Sequence, residues 1–236
     1  LKSEPCARER SYALYTWNRM ANEVGGDFFK DFSYSDGKRH IIGCFDVSGK
    51  NVAASLSTMA VGSFFTALRS FDPGTKFGLE ITRMIDKYIQ DLTPTETFIT
   101  AGLCYVDEEE GSVFIQNCGH TPIYLFIPGE DKKIVGKTMN PNLPPLGMGI
   151  LESESSGGYR LPITKGLRIV MYTDGLTDMQ TPDGIRFDDD RTRKLFVSTH
   201  GKPEDETMSV YAKEVDDWVT EAMLPDDITI MDLRFR

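Results

Sequence analysis

Acidic residues stand beside apolar runs or tight turns at four places in the sequence. Asp46 follows the apolar run at 41–45 and precedes Ser48-Gly49, so it closes a predicted buried strand at a tight turn. Burying a charged carboxylate at the end of a strand costs free energy unless a cation lies close to it. We interpret the chain as one that gathers four such clusters around metal ions. The other three clusters are Gly25-Gly26-Asp27, Tyr172-Thr173-Asp174-Gly175 and Pro225-Asp226-Asp227-Ile228-Thr229.

The chemistry of these clusters suits hard divalent cations. Mg²⁺ and Mn²⁺ take carboxylate, carbonyl and water oxygens as ligands. Two such ions roughly 3.5–4 Å apart require one carboxylate that bridges them and further carboxylates that complete each shell. The histidines do not form a competing soft site, because His40, His120 and His200 are isolated in the sequence without an HxH or HxxxH spacing. A zinc site is therefore not expected.

Composition and charge narrow the class of protein. A length of 236 residues suits one domain of substantial size or two small ones. The formal net charge of −10 argues against nucleic acid as a partner, because a phosphate backbone requires a basic surface. No apolar run approaches the roughly 20 residues that span a bilayer, so we expect no direct membrane contact. Because the sequence begins with Leu1 rather than Met, we expect an upstream region in a longer protein, which could carry an anchor.

The cysteines indicate a reducing environment. None of the four forms a CxxC pair, and Cys44, Cys104 and Cys118 lie in apolar, strand-like runs. This pattern predicts buried, reduced thiols rather than a disulfide framework. We therefore expect a cytoplasmic domain.

The spacing of apolar residues predicts strands grouped in hairpins and helices grouped in pairs. Residues 1–11 read as a frayed end or linker, and 136–160 as a long irregular connection with short edge strands. Such an order favours an α+β fold, a sheet core covered by helix layers, over an alternating βαβ fold. The predicted strands cover 12–17, 27–29, 39–46, 97–106, 112–118, 122–127, 167–172 and 228–235, and the predicted helices 52–71, 77–89, 188–199 and 203–220.

Seven short motifs occur together in the order and spacing of one known family. Over nearly all of residues 12–236 the chain resembles the metal-dependent protein phosphatase (PPM) superfamily, specifically its bacterial SpoIIE/RsbU-type branch. Each motif is weak alone, and their shared order makes the signal strong. The motifs are Val24-Gly25-Gly26-Asp27-Phe28-Phe29, Asp46-Val47-Ser48-Gly49-Lys50, Thr97-Phe98-Ile99-Thr100, Asn117-Cys118-Gly119-His120-Thr121-Pro122, Pro145-Leu146-Gly147, Tyr172-Thr173-Asp174-Gly175 and Asp226-Asp227-Ile228-Thr229.

The resemblance implies a fold and a ligand set. The fold would be a four-layer αββα sandwich, with two antiparallel sheets face to face and helix pairs outside, formed by residues 12–236. Asp46 would bridge two Mn²⁺ or Mg²⁺ ions. Asp174 and Asp226 would complete the shell of one ion, while Asp27 and the main-chain carbonyl of Val47 would serve the other. Asp46 and Asp174 are thus the implied catalytic residues.

The resemblance also implies an activity and a setting. Proteins of this branch hydrolyse phosphoserine or phosphothreonine, commonly on a STAS-domain anti-sigma-factor antagonist, by attack of a water that two metal ions activate. They are often fused to an N-terminal sensor. An activating switch is expected at the helix pair 52–91, next to the Asp46 turn.

Several assignments within this resemblance stay open. The alignment around Asp27 could shift by a residue, and Asp226 is preferred to Asp227 because Asp227 begins a strand. Some relatives place a histidine after the position of Val47, where this chain has Ser48, so we assign no general acid. His120, in a Gly-His motif of the family, could be structural or part of the site.

Two competing interpretations come from other classes of protein. Gly25-Gly26-Asp27-Phe28-Phe29 also resembles the Gly-Gly-Asp-Glu-Phe signature of diguanylate cyclases, but that signature needs an acid at Phe28 and a βαβ order. A catalytically silent PPM-like module that docks a regulatory partner is the other alternative. The presence of all four aspartates argues against it, since a degenerate phosphatase would lose at least one ligand.

Overall fold

The computed structural model describes residues 10–21, 25–49, 52–68, 77–92, 97–129, 133–151, 157–219 and 224–236. These residues form ten strands and five helices. In chain order they are β1 (Tyr12–Arg19), β2 (Phe28–Ser33), β3 (Arg39–Val47), α1 (Val52–Leu68), α2 (Leu79–Leu92), β4 (Ile99–Asp107), β5 (Ser112–Cys118), β6 (Ile123–Pro128), β7 (Ile134–Met139), β8 (Tyr159–Pro162), β9 (Arg168–Tyr172), α3 (Gly175–Asp178), α4 (Asp189–Ser198), α5 (Glu204–Trp218) and β10 (Ile228–Phe235).

The strands form two antiparallel sheets of five strands each. The first sheet has the order β1-β10-β9-β6-β7, and the second has the order β2-β3-β4-β5-β8. Side chains alternate between the two faces of a strand, and β3 shows the result clearly. Ile41 and Phe45 join the apolar cluster under α1 and α2, whereas Ile42 and Cys44 join the cluster between the sheets. Each sheet thus buries both of its faces.

Three apolar layers hold the four structural layers together. The second sheet packs against α1 and α2, the two sheets pack against each other, and the first sheet packs against α4 and α5 through residues such as Phe196 and Tyr211. The α+β class and the αββα sandwich expected from the sequence are confirmed. Cys44, Cys104 and Cys118 are buried free thiols, as predicted, while Cys6 lies outside the described residues.

The alternation along β3 also determines where Asp46 points. Asp46 follows Ile42 and Cys44 on the face that looks toward the first sheet, and it comes where the apolar filling between the sheets ends. Thr173 and Asp227 lie at the corresponding end of the first sheet, just after β9 and just before β10. The strand ends that carry Asp46, Thr173 and Asp227 therefore lie at the same edge of the two-sheet sandwich, which we call its mouth.

The structure differs from the sequence prediction in a few places. β3 extends one residue further, to Val47, and a short helix, α3, follows Asp174 where only a turn was predicted. The region 136–160 agrees with the prediction, because it contains the end of β7 and the start of β8, each of which is an edge strand of its sheet. The predicted helix end at 69–71 and the motif residues Val24 and Lys50 lie outside the described residues. Within the described parts of the chain, no helix is long and apolar enough to span a membrane.

Candidate active site

A cavity of about 230 Å³ opens at this mouth of the sandwich. Four of the five predicted metal ligands line it: Asp46, Val47, Asp174 and Asp226. They come from both sheets, since Asp46 and Val47 end β3 while Asp174 and Asp226 flank β9 and β10. The remaining wall is formed by Gly25, Gly26, Ser48, Gly49, Phe98, Thr100 and Asp227.

The end of β3 is held in place by β4 and by a tight turn. Val47 pairs with Ile99, the main-chain N of Ser48 donates to the Phe98 carbonyl at 3.0 Å, and the Phe98 amide donates to the Ser48 hydroxyl at 2.9 Å. Gly49 then adopts a φ of 102°, in the left-handed region that favours glycine. The Ser48-Gly49 turn is thus built as the sequence predicts.

Gly26 keeps the surroundings of the Val47 carbonyl open. A Cβ atom on Gly26 would lie only 2.9 Å from that carbonyl oxygen, so any side chain there would collide with it. This gives a physical reason for the second glycine of Gly25-Gly26-Asp27. A main-chain oxygen with open space beside it is a suitable ligand for a hard cation.

Asp174 lies where two loops of the first sheet approach each other closely. A Cβ atom on Gly175 would lie 2.0 Å from the carbonyl oxygen of Asp227. Glycine is required by this close approach and not by a left-handed turn. The approach brings the segments that carry Asp174 and Asp226 to the same side of the cavity.

Asp226 and Asp227 have different environments. The Asp226 carboxylate accepts a hydrogen bond from the Asp227 amide at 3.0 Å, and Asp226 is only half-buried. Asp227 is buried, and its two carboxylate oxygens accept from the main-chain amides of Ala21 at 2.8 Å and Gly26 at 3.1 Å. Asp227 therefore fastens the loop at Gly25-Gly26 to the start of β10, which leaves Asp226 as the better placed ligand.

Asp27 does not line the cavity. Its carboxylate lies behind the wall and accepts a hydrogen bond from the Thr173 hydroxyl at 2.6 Å. Burial, together with the nearby charges of Asp46 and Asp227, raises its pKa to about 8 even though its threonine hydrogen bonds oppose the shift. The predicted role of Asp27 as a ligand stays a prediction, and its observed role is to connect β2 with the first sheet.

The oxygen atoms that line the cavity are of the type that binds hard cations. Four aspartates line the cavity (Asp46, Asp174, Asp226 and Asp227) together with Val47, whose main-chain carbonyl is, like their carboxylates, an oxygen ligand. Among the described residues, however, no three His, Cys, Asp or Glu side chains form a group that could hold a metal ion as placed. Like charges repel each other at short range, so ion binding requires the carboxylates to move closer together. The main chain already brings the residues that carry these donors to one cavity.

The two-sheet sandwich is the fold that solved PP2C domains share. The sequence profile of the family described as Stage II sporulation protein E (SpoIIE) matches residues 36–236. The chain therefore belongs to the SpoIIE family. No curated protein matches the chain.

Solved structures share the fold at low sequence identity. The SiaA-PP2C domain of Pseudomonas aeruginosa superimposes with a TM-score of 0.77 at 21% identity, covering 94% of this chain and 86% of that one. The RsbU and RsbW domains of Rv1364c from Mycobacterium tuberculosis give 0.67 at 18%, covering 95% and 60%. RsbX in complex with magnesium gives 0.62 at 17%, covering 95% and 94%. The two-sheet architecture is common to all three.

Proposed function

We propose that this phosphatase domain, residues 12–236, hydrolyses a phosphoserine or phosphothreonine monoester with two Mn²⁺ or Mg²⁺ ions in the cavity. The observation that carries the proposal is the convergence of Asp46, Val47, Asp174 and Asp226 from both sheets on one opening. RsbX, a neighbour in structure, is known in complex with magnesium, which supports the choice of a hard cation.

Each residue has a distinct part in the proposed site. Asp46, on the face between the sheets, would bridge the two ions, with Asp174 and Asp226 on one side and the Val47 carbonyl and Asp27 on the other. Two bound cations would lower the pKa of a shared water toward neutrality and offset the negative charge of the phosphoryl oxygens. The chain supplies no covalent nucleophile in this scheme. Ser48, whose hydroxyl accepts from the Phe98 amide, stabilises the turn and has no assigned role as an acid.

The substrate proposed for the domain is a phosphorylated STAS-type anti-sigma-factor antagonist. Support comes from the SpoIIE family membership and from the structural neighbour that combines RsbU and RsbW domains in one chain. An upstream sensor, which the SpoIIE/RsbU-type resemblance implies, would control the activity. A cytoplasmic location is supported by the three buried, unpaired cysteines.

Phosphate release is expected to depend strictly on a divalent cation. With a phosphoserine peptide or protein as substrate, Mn²⁺ or Mg²⁺ should support turnover, and an excess of chelator should abolish it reversibly. The reason is that the site offers only oxygen donors, which hold hard cations and cannot by themselves activate water. A colorimetric phosphate assay measures the effect. Turnover that persists in chelator would contradict the two-metal proposal.

We further propose that the helix pair α1–α2 controls the site through two main-chain contacts. The Thr58 hydroxyl of α1 donates to the Gly26 carbonyl at 3.4 Å.

The contact from α2 is made by Asp86. Its buried carboxylate accepts a hydrogen bond from the Gly147 amide at 2.7 Å. Leu146, next to Gly147, exchanges two hydrogen bonds with Ile99 of β4, at 2.8 and 2.9 Å. Since Ile99 is the strand partner of Val47, a movement of α2 would be passed to the proposed ligand through Gly147, Leu146 and Ile99.

Asp86→Leu is therefore expected to weaken the apparent affinity for Mn²⁺ about 10-fold or more, as loss of an outer support does at metal sites. Asp86→Asn, which keeps an acceptor for the Gly147 amide, should retain most of the affinity. The increase in melting temperature on addition of Mn²⁺ measures the effect without an activity assay.

Thr82→Val is the matched control on the same helix. Thr82 is fully buried, and its hydroxyl lies 2.5 Å from both Tyr105 Oη and Gln116 Oε1, so it ties α2 to the sheet without contacting the Gly147 loop. Its loss should lower stability by about 1–3 kcal/mol but leave the Mn²⁺-induced shift unchanged. Equal effects of the two substitutions on metal affinity would contradict a specific route through Asp86.

A further inference from the structure

Thr100 and His120 form a hydrogen-bonded pair at the back of the cavity. Thr100 lines the cavity and is the direct strand partner of Asp46. Directly opposed residues of antiparallel strands project from the same face, so the side chains of Thr100 and Asp46 are neighbours on the face that looks toward the first sheet. The Thr100 Oγ1 lies 2.8 Å from Nδ1 of His120, a buried side chain that does not itself reach the cavity.

The imidazole of His120 is held in one position from several sides. Its main-chain amide donates to the Asn117 side-chain oxygen at 2.8 Å. Gly102 makes room for the ring, since a Cβ atom there would lie 3.4 Å from Cδ2 of His120 and 3.0 Å from the Met171 sulfur. Any larger residue at position 102 would press on the ring. The hydrogen-bond partner of the Thr100 hydroxyl, the His120 ring, is therefore held in one position.

The surroundings of His120 determine which ring nitrogen carries the proton. Burial lowers the pKa of His120 to about 4, with only partial opposition from the Tyr172 main-chain carbonyl, so the ring is neutral at neutral pH. Nε2 makes no hydrogen bond of normal geometry with any described residue. The Tyr172 main-chain carbonyl acts on the ring, and because Nδ1 is already paired with Thr100, we assign this carbonyl to the Nε2 side. A carbonyl can only accept a hydrogen bond, so it favours the tautomer with the proton on Nε2.

That tautomer fixes the orientation of the threonine hydroxyl. An unprotonated Nδ1 can only accept, so the Thr100 O–H must donate to it. Thr100 Oγ1 can then only accept any further hydrogen bond, and Thr100 is one of the residues that line the cavity. Thr100 Oγ1 is thus an uncharged hydrogen-bond acceptor at the cavity, and its orientation is set by its hydrogen bond to His120.

We propose that Thr100 Oγ1 accepts a hydrogen bond from the water that attacks the phosphoester, and that His120 is the positioning residue that holds Thr100 in this orientation. The inference rests on the proposed phosphatase function and adds two residues to it. An acceptor of fixed direction holds one O–H of the water and so aims an oxygen lone pair at phosphorus, which is an orientation effect and not proton transfer.

The tautomer can be measured independently of activity. Long-range ¹H–¹⁵N correlation NMR of the 236-residue chain should show His120 with a protonated Nε2 and a bare Nδ1 throughout the neutral pH range. The spectrum of His120→Asn assigns the signals among the three histidines. In Thr100→Val the ¹⁵N shift of Nδ1 should move, because it loses its donor. A proton on Nδ1 in the wild-type chain would overturn the proposal.

Kinetics test the role of the pair. Thr100→Val should lower kcat about 10–100-fold, as loss of an orienting partner does at metal sites, with little change in KM or in the Mn²⁺-induced thermal shift. Thr100→Ser, which keeps the hydroxyl, should restore most of the rate. His200→Asn, on the far side of the first sheet where the ring stacks on Phe126, is the matched control and should leave kcat unchanged.

A double-mutant cycle separates positioning from support of the fold. His120→Asn should lower kcat in the wild-type background but have no further effect on kcat in Thr100→Val. A histidine that only supports the fold would cause the same loss in both backgrounds, and that result would overturn the proposal. An active wild type with an unaffected Thr100→Val would overturn this inference alone, whereas an inactive wild type with every metal would contradict the proposed function and this role with it.

Discussion

Asp46→Asn should lower metal-dependent phosphate release about 10³-fold, because loss of the bridging carboxylate removes several kcal/mol of charge stabilisation and each 1.4 kcal/mol is about tenfold in rate. The substitution keeps the size and shape of the side chain. Asparagine also leaves the hydrogen-bonded strand pair between Asp46 and Thr100 intact. The loss should therefore appear in kcat and in Mn²⁺ affinity and not in the melting temperature of the metal-free chain.

Asp107→Asn is the matched control for that experiment. Asp107 lies at the opposite end of the same strand pair, opposite Arg39, where its carboxylate accepts from the amides of the turn at Glu109 and Glu110. An asparagine can accept the same bonds, and the change in net charge is identical. Its activity should equal that of the wild type. Asp46→Asn with wild-type turnover would show that the hydrolysis does not use this carboxylate.

The largest effect on stability is expected at a buried ionic network behind the first sheet. Arg168, 2% exposed, donates through Nε and Nη2 to both oxygens of Asp232, 0% exposed, at 2.8 Å each. Arg234 donates to the same carboxylate at 2.6 and 3.1 Å, and the Tyr211 hydroxyl donates at 3.1 Å. Burial alone would raise the Asp232 pKa, but the bonds from Arg234 and Arg168 outweigh it and hold the pKa below its usual value.

Asp232→Asn should lower the free energy of unfolding at pH 7 by about 3–5 kcal/mol, because it leaves a buried guanidinium without its counter-ion. Urea denaturation measures the change. A depressed carboxylate pKa stabilises the fold above the unfolded-state pKa of about 4, and that contribution is lost as pH falls through the folded-state pKa. The difference between wild type and variant should therefore be constant near neutrality and shrink only in strong acid.

Lys87→Met provides the comparison for a surface ion pair. Lys87 and Asp91 are one turn apart on α2 and both largely exposed, so their pairing should contribute less than about 1 kcal/mol. The contrast tests whether burial, and not the number of ion pairs, determines the stability of this domain. Asp232→Asn with a stability equal to that of the wild type would contradict the account of the network.

The strand and helix pattern was predictable because it depends on local periodicity. Alternation along β3 and the helical spacing of α2 both give the correct element and the correct buried face. The short helix α3 was missed, because its four residues carry too little periodicity for a helix signal and the Asp-Gly pair at its start is also typical of turns.

The sequence predicted which residue types could bind a metal at the candidate site. It did not predict the long-range contacts that hold those residues in place. The position of Asp27 behind the wall depends on contacts with Thr173 across the two sheets, which no local pattern encodes. The same holds for the bond between Asp86 and the Gly147 amide, which spans 61 positions in the chain. A buried acid on an otherwise apolar helix face was the one signal for Asp86 available in the sequence. Gly102 offered none, since its function is to leave space for residues from other strands.

Calorimetric titration of the chelator-treated chain with Mn²⁺ measures directly whether the cavity binds two metal ions. We expect two bound ions per chain in the wild type and loss of this binding in Asp46→Asn, with Asp107→Asn unchanged. Wild-type protein that binds no Mn²⁺, or Asp46→Asn that binds two ions with wild-type affinity, would contradict the assignment of the cavity as a two-metal centre.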